Sequence, residues 1–100
     1  YVSLFHDLWS EKLMPLKITI TFKLYASLAQ YLPKEAVENK IDIIIPGDRS
    51  IIGVLEQQSV PLESAHLVLV NGFFIPPEKR KTSFLSDKDV LAVWPPVAGG

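Results

Sequence analysis

Residues 17–24 read KITITFKL, and the reading of this stretch decides the fold. Ile18, Ile20, Phe22 and Leu24 alternate with Thr19, Thr21 and Lys23. A period of two puts the four apolar side chains on one side of an extended chain, so the stretch is a half-buried β-strand. The period then changes. In YASLAQYL (25–32), Leu28, Tyr31 and Leu32 continue from Leu24 at helical spacing, and Pro33 ends the segment.

The same alternation of patterns runs on through the chain. KIDIII (40–45) is a second strand, closed by the turn residues Pro46, Gly47 and Asp48. Ser50 is placed as the N-cap of a helix over IIGVLEQQ, with Ile51, Val54, Leu55 and Gln58 along one face and Gly53 as its weak point. Pro61 breaks that helix, and AHLVLVNG supplies a third strand whose turn is Asn71-Gly72. FFIPP continues past the turn, kept short or at a sheet edge by its two prolines. EKRK (78–81) reads as an exposed loop, TSFL as a brief extended piece, SDKD (86–89) as a turn and VLAVW (90–94) as the last strand. Strand, helix, strand, helix, then strands is an α+β order: a mixed sheet of four to five strands with helices on one face. The first and last strands are both strongly apolar, which places them side by side in the sheet centre.

A chain of 100 residues holds one modest core. With 48% hydrophobic and 21% charged residues it has a globular composition, and its net charge of −1 gives no reason to expect nucleic acid or an acidic membrane as partner. No apolar run approaches the roughly 20 residues of a membrane span. Residues 1–13 lack the pattern of a signal peptide and precede the single methionine, Met14. They read as an N-terminal extension, non-native or mobile, with the domain proper over 14–100; Leu4, Leu8, Phe5, Trp9 and Leu13 would give them one apolar helical face. The absence of cysteine excludes disulfides, thiolate metal sites and a thiol nucleophile, and fits a reducing compartment.

Catalytic constellations are hard to find. His6 and His66 have no second ligand at metal spacing, so no metal site is expected. Asp87 and Asp89 bracket Lys88 in a way that suits a turn better than acid–base chemistry. No serine sits in a nucleophile elbow, and no glycine-rich phosphate loop occurs. Lys79, Arg80 and Lys81 form the one basic cluster, either a solvated loop tip or a contact for an acidic partner surface. Phe73, Phe74 and Trp94 are read first as core residues; a small sheet cannot hide every apolar residue, however, and an exposed patch of them, with Arg80 assigned to it, would mark a partner interface.

What remains is the end of the sequence, PPVAGG (95–100). Pro95 and Pro96 hold the exit from the last strand extended and offer no amide for further pairing. Gly99 and Gly100 lack Cβ atoms, so the tip can thread a narrow channel. The reactive group there is the α-carboxylate of Gly100, a poor electrophile until something else activates it. The tail therefore reads either as a frayed end or as a substrate for an activating enzyme.

With KITITFKLYASLAQYL, the LVNG turn at 69–72 and LSDKDVLAVWPPVAGG (85–100), the chain from Met14 to Gly100 resembles the MoaD/ThiS sulfur carriers, of ubiquitin-like β-grasp fold. The diproline makes it more similar to the small subunit of molybdopterin synthase than to the thiamine carrier. The resemblance implies a cytoplasmic protein that is not an enzyme on its own and binds no cofactor. A ubiquitin-activating-type adenylyltransferase would use ATP and Mg²⁺ to adenylate Gly100, and a sulfur donor protein would convert it to a thiocarboxylate. Val97, Ala98 and the residues flanking them would thread into the molybdopterin synthase large subunit, in a heterotetramer. The alternatives are a carrier for thiamine or a tungsten cofactor, a ubiquitin-like protein modifier, and a non-catalytic interaction module. Three departures from the family pattern are the extension at 1–13, the long segment FFIPPEKRKTSF, and Lys88 where the turn commonly has glycine. The last is a position a non-glycine residue occupies at some conformational cost.

Overall fold

The computed structural model describes residues 17–97. In it the alternating segment forms β1 (Ile18–Leu24), whose four apolar side chains are all buried. β2 (Lys40–Ile45), the helix α1 (Ile51–Gln57), β3 (Leu67–Val70), β4 (Phe73–Phe74) and β5 (Val90–Trp94) follow in that order. They make one five-stranded sheet in the order β2-β1-β5-β3-β4. β1 pairs in parallel with β5, and the other pairs are antiparallel. This is the α+β arrangement read from the patterning, with the first and last strands adjacent at the sheet centre. The extension at 1–13 lies outside the described residues.

One face of the sheet carries the core. Phe22 stands opposite Ile41 on one side and Leu91 on the other, and Val68 opposite Val93 continues the layer. Ile51, Val54 and Leu55 of α1 close over it, with Leu28, Val60 and Leu85 at its margins. Ser50 caps α1 as expected: its Oγ accepts from the Gly53 amide at 3.0 Å. The Asp48 carboxylate in turn accepts from the Ser50 amide at 2.9 Å, and the backbone and side-chain hydrogen bonds from Ser50 hold its pKa below the usual range. Gly53 is more than a weak point in the helix. A Cβ built there runs into the Asp48 side chain, so the glycine is what lets Asp48 fold back over the first turn.

The structure corrects one expected helix. Residues 25–32 form a 3-10 helix over Ala26–Tyr31, bonded from Leu28 N to Tyr25 O at 3.0 Å and from Leu32 N to Ala29 O at 3.1 Å. Only eight residues separate the end of β1 from Pro33, no side chain caps the N-terminus, and Ala26 starts it in the left-handed region (φ +53°). A segment this short takes the tighter i→i+3 pattern. The helical spacing nonetheless chose the right residues: Leu28 is buried, and Tyr31 and Leu32 pack against the core.

The turns read at Asn71-Gly72 and at 86–89 are present. Asn71 (φ +52°) and Gly72 (φ +86°) supply the two left-handed residues of a type I′ hairpin between β3 and β4. Of the TSFL piece, Thr82 completes the preceding turn and Phe84 bridges to Ser50 just before α1. The turn at 86–89 then ties three elements together. Asp87 Oδ1 accepts from the Thr19 amide at 2.8 Å, and the Lys88 amide donates to Thr19 O at 2.7 Å. Asp89 accepts from Ser86 N (2.8 Å) and from Asn71 Nδ2 (2.9 Å), while Asn71 Oδ1 accepts from Val90 N (2.8 Å). The two aspartates are thus turn builders. Lys88 sits at φ +73°, so the cost expected of a non-glycine there is present.

That strain is measurable. Lys88→Gly should raise stability by up to about 1 kcal/mol, the left-handed penalty less the added freedom of the unfolded chain. Urea unfolding of the two proteins at equal ionic strength checks it; a glycine variant less stable than the parent would contradict the account.

Candidate functional site

The sheet face opposite α1 carries the other half of the alternation. Registers place Asp42, Thr21 and Val90 in one row across it, and Lys40, Lys23, Ala92, Leu69 and Phe74 in the next. A third row, toward the tail, holds Leu67 and Trp94. Trp94 stacks on Tyr25 with ring centroids 4.5 Å apart and planes at 8°. The backbone there is pinned as well. Tyr25 N donates to Val93 O at 3.2 Å, and His66 N donates to Trp94 O at 3.0 Å. β5 therefore ends in a residue held by both neighbouring strands and by an aromatic stack.

From this anchor Pro95 leaves half-buried, and Pro96 and Val97 are exposed, Val97 at 79%. Ala26, Ser27, His66 and Leu67 line a groove beside Trp94, Pro95, Pro96 and Val97. Two consecutive prolines have fixed φ and no amide hydrogen, so the sheet cannot extend along them. The segment projects instead. Ala98, Gly99 and Gly100 lie outside the described residues.

The residues expected at a partner interface separate into three cases. Phe74 and Trp94 share the open face, with Leu69 and Ala92 between them. Phe73 is 75% exposed, but it pairs with Val70 and so points to the opposite side of the two-residue edge strand. Arg80 is a correction. It is 4% exposed, and its guanidinium donates to Ile75 O (2.9 Å), Ala65 O (2.6 Å) and His66 O (3.0 Å). Burial lowers its pKa, opposed by the charge of Glu78. Arg80 is thus a brace that fastens the 75–80 segment to the start of β3, and EKRK is not an open loop but a 3-10 turn (Pro77–Lys79) leading into it. Only Lys79 and Lys81 of the basic cluster face solvent.

Sequence reading missed Tyr25 and the Lys23–Lys40 pair. Tyr25 looked like the start of a helix, and the lysines meet only through the β1–β2 register. His66 is exposed at the tail groove and His6 lies outside the described residues. Among the described residues, no group of three or more His, Asp or Glu could hold a metal, and no helix is long and apolar enough to cross a membrane.

A mixed five-stranded sheet that grasps one helix and sends an extended tail from its central strand defines a ubiquitin-like β-grasp domain. The ThiS family model matches residues 24–100, and the chain belongs to that family, of MoaD/ThiS-type sulfur carriers. No curated protein sequence matches it. Among solved structures it is similar to the HVO 2177 protein of Haloferax volcanii, with a TM-score of 0.65 and 20% identity over 85% of this chain and 89% of that one. It is similar to SAMP1 from Haloferax volcanii, with a TM-score of 0.54 and 24% identity over 82% and 99%. A third likeness is to the protein–protein complex of subunits 1 and 2 of the molybdopterin-converting factor from Helicobacter pylori 26695, with a TM-score of 0.50 and 17% identity over 83% and 100%.

Two substitutions probe the site's supports. Arg80→Ala leaves buried carbonyls without donors and should cost about 3 kcal/mol, and Arg80→Lys should recover only part because an ammonium cannot span three diverging acceptors. Full recovery by lysine, read in urea titrations, would overturn the brace. Tyr25→Ala should cost about 1 kcal/mol beyond the lost burial and lower the ¹⁵N order parameters of Trp94 and Val97. Unchanged relaxation at both would mean the stack does not anchor the tail.

Proposed function

We propose that this protein carries sulfur on its C-terminal glycine for the synthesis of molybdopterin. An adenylyltransferase of the ubiquitin-activating type joins the α-carboxylate of Gly100 to the AMP moiety of ATP with loss of pyrophosphate, using Mg²⁺. A sulfur donor protein then delivers sulfide-level sulfur, which attacks the acyl adenylate and expels AMP, leaving the terminus as a thiocarboxylate. The tail, Pro95 to Gly100, enters the large subunit of molybdopterin synthase and gives up that sulfur to the pterin precursor, while the carrier itself supplies no catalytic side chain.

The observation that carries this reading is the anchored exit of the tail. Trp94 is fixed by its stack on Tyr25 and by the His66 amide, and the diproline then leads the chain away from the sheet. A stiff base lowers the entropy lost when a thin tip is threaded into a channel. Membership of the ThiS family and the likeness to a molybdopterin-converting factor complex support the carrier role and a large-subunit partner. The open face holding Phe74, Leu69, Ala92 and Trp94 is the surface we assign to that partner. The matching model is that of ThiS, which makes a carrier for the thiamine pathway the second reading. A protein modifier, joined through Gly100 to a lysine, is the third.

Intact mass of the protein after incubation with a candidate activating enzyme, ATP and a sulfur donor tests the proposal. The expected result is a gain equal to replacing one oxygen by sulfur, abolished in Gly100→Val while the far-ultraviolet spectrum and unfolding midpoint stay unchanged. A normal gain in Gly100→Val would overturn it, and isopeptide conjugates to lysine in place of the thiocarboxylate would move the assignment to a modifier. Adding the large subunit and pterin precursor, or the thiamine-pathway acceptor, tells which pathway takes the sulfur.

A further inference from the structure

The row across the open face has an unusual end. Lys23 on β1 stands directly opposite Lys40 on β2, and on its other side faces Ala92 of β5. Directly opposed residues of an antiparallel pair have Cβ atoms about 5 Å apart, and like charges there destabilise the pairing. Neither ammonium makes an ion pair or hydrogen bond among the described residues. On the same face Asp42 lies one row away, and its carboxylate already accepts from Thr21 Oγ1 at 2.9 Å. Two unneutralised cations therefore lie side by side at one end of a row that continues through Ala92 and Leu69 to the exposed ring of Phe74.

We propose that Lys23 and Lys40 form a docking site for a carboxylate-bearing segment of the protein that receives the tail. The proposal rests on the reading of the open face as the partner's surface and adds the chemistry of that partner. Its apolar part meets Leu69 and Phe74, and its Asp or Glu side chains meet the lysines. The charge pattern favours this occupant over others. A nucleic acid or an anionic bilayer needs an extended basic stripe, whereas this chain has a net charge of −1 and bears Asp42 in the adjoining row. Two adjacent ammonium groups suit one or two carboxylates presented on a protein surface. Such a contact fixes the register of the sheet on its partner and speeds encounter more than it adds affinity. The pair also sits in the row next to Trp94, so its attraction acts close to the anchored base of the tail.

The full chain, labelled with ¹⁵N, is titrated with a hexaglutamate peptide at low salt, with hexathymidylate and with hexalysine in parallel. Hexaglutamate should shift the amides of Lys23, Lys40 and Ala92, and the shifts should fade as salt shortens the screening length. In Lys23→Glu/Lys40→Glu they should vanish, while Lys79→Glu/Lys81→Glu should keep them. Lys40→Glu alone turns a repulsive pair into an attractive one and should raise the melting temperature while losing the peptide response. Shifts centred on Lys79 and Lys81, a response that survives the double reversal, or a stronger response to the oligonucleotide at the same amides would each overturn the proposal. None of these readouts involves Gly100, so failure of the carrier reading appears separately, in the mass of the terminus.

Discussion

β1 and β5 run parallel at the centre of the sheet, with Thr21 opposite Val90 and Leu24 opposite Val93, although nearly the whole domain lies between them in sequence. Parallel neighbours cannot be joined by a tight turn, so the chain between them has to travel around the sheet. It does so as a hairpin to β2, as α1 crossing the buried face, and as the β3–β4 hairpin on the far side. The turn at 86–89 fixes the register of the pair through two bonds between its residues and Thr19. Every other feature follows from this pairing. The core is the face shared by β1 and β5, the open face is its reverse, and the tail leaves from the middle of the sheet instead of from an edge.

Much of this was legible in the sequence because it rests on local rules. Period-two alternation named β1, Asn71-Gly72 named its hairpin, and Ser50 named the start of α1. What escaped the sequence depends on distances between remote residues. Arg80 looked like part of a charged loop, and only the fold brings Ala65 O and His66 O within its reach. Tyr25 followed a strand and preceded a helical spacing, and nothing local showed that it would meet Trp94. The 3-10 geometry of 26–31 was hidden for another reason. The same spacing of apolar residues serves either helix type, and the choice falls to the length of chain available before Pro33.

Basic residues give the clearest contrast between order along the chain and order in space. The contiguous run Lys79-Arg80-Lys81 is divided by the fold, its middle member buried among carbonyls and its outer two left in water. Lys23 and Lys40, far apart in sequence, are brought to adjacent positions with no counter-charge on them. The row Lys40, Lys23, Ala92, Leu69, Phe74 is therefore graded, cationic at its β1–β2 end and apolar toward β4, and the anchored tail rises from beside it.

A sheet whose central strand comes last has a consequence for how the protein is made. While a ribosome is still synthesising residues 90–94, β1 and β3 have no strand between them, and each displays an unpaired edge. Such edges invite association with other chains, and non-local pairings of this kind form late. A nascent or prematurely stopped chain that lacks β5 is thus exposed to chaperones and proteases, whereas a chain that has closed its sheet has also produced the strand from which the tail departs. Synthesis, folding and the exit of the segment after Trp94 are thus coupled by strand order alone.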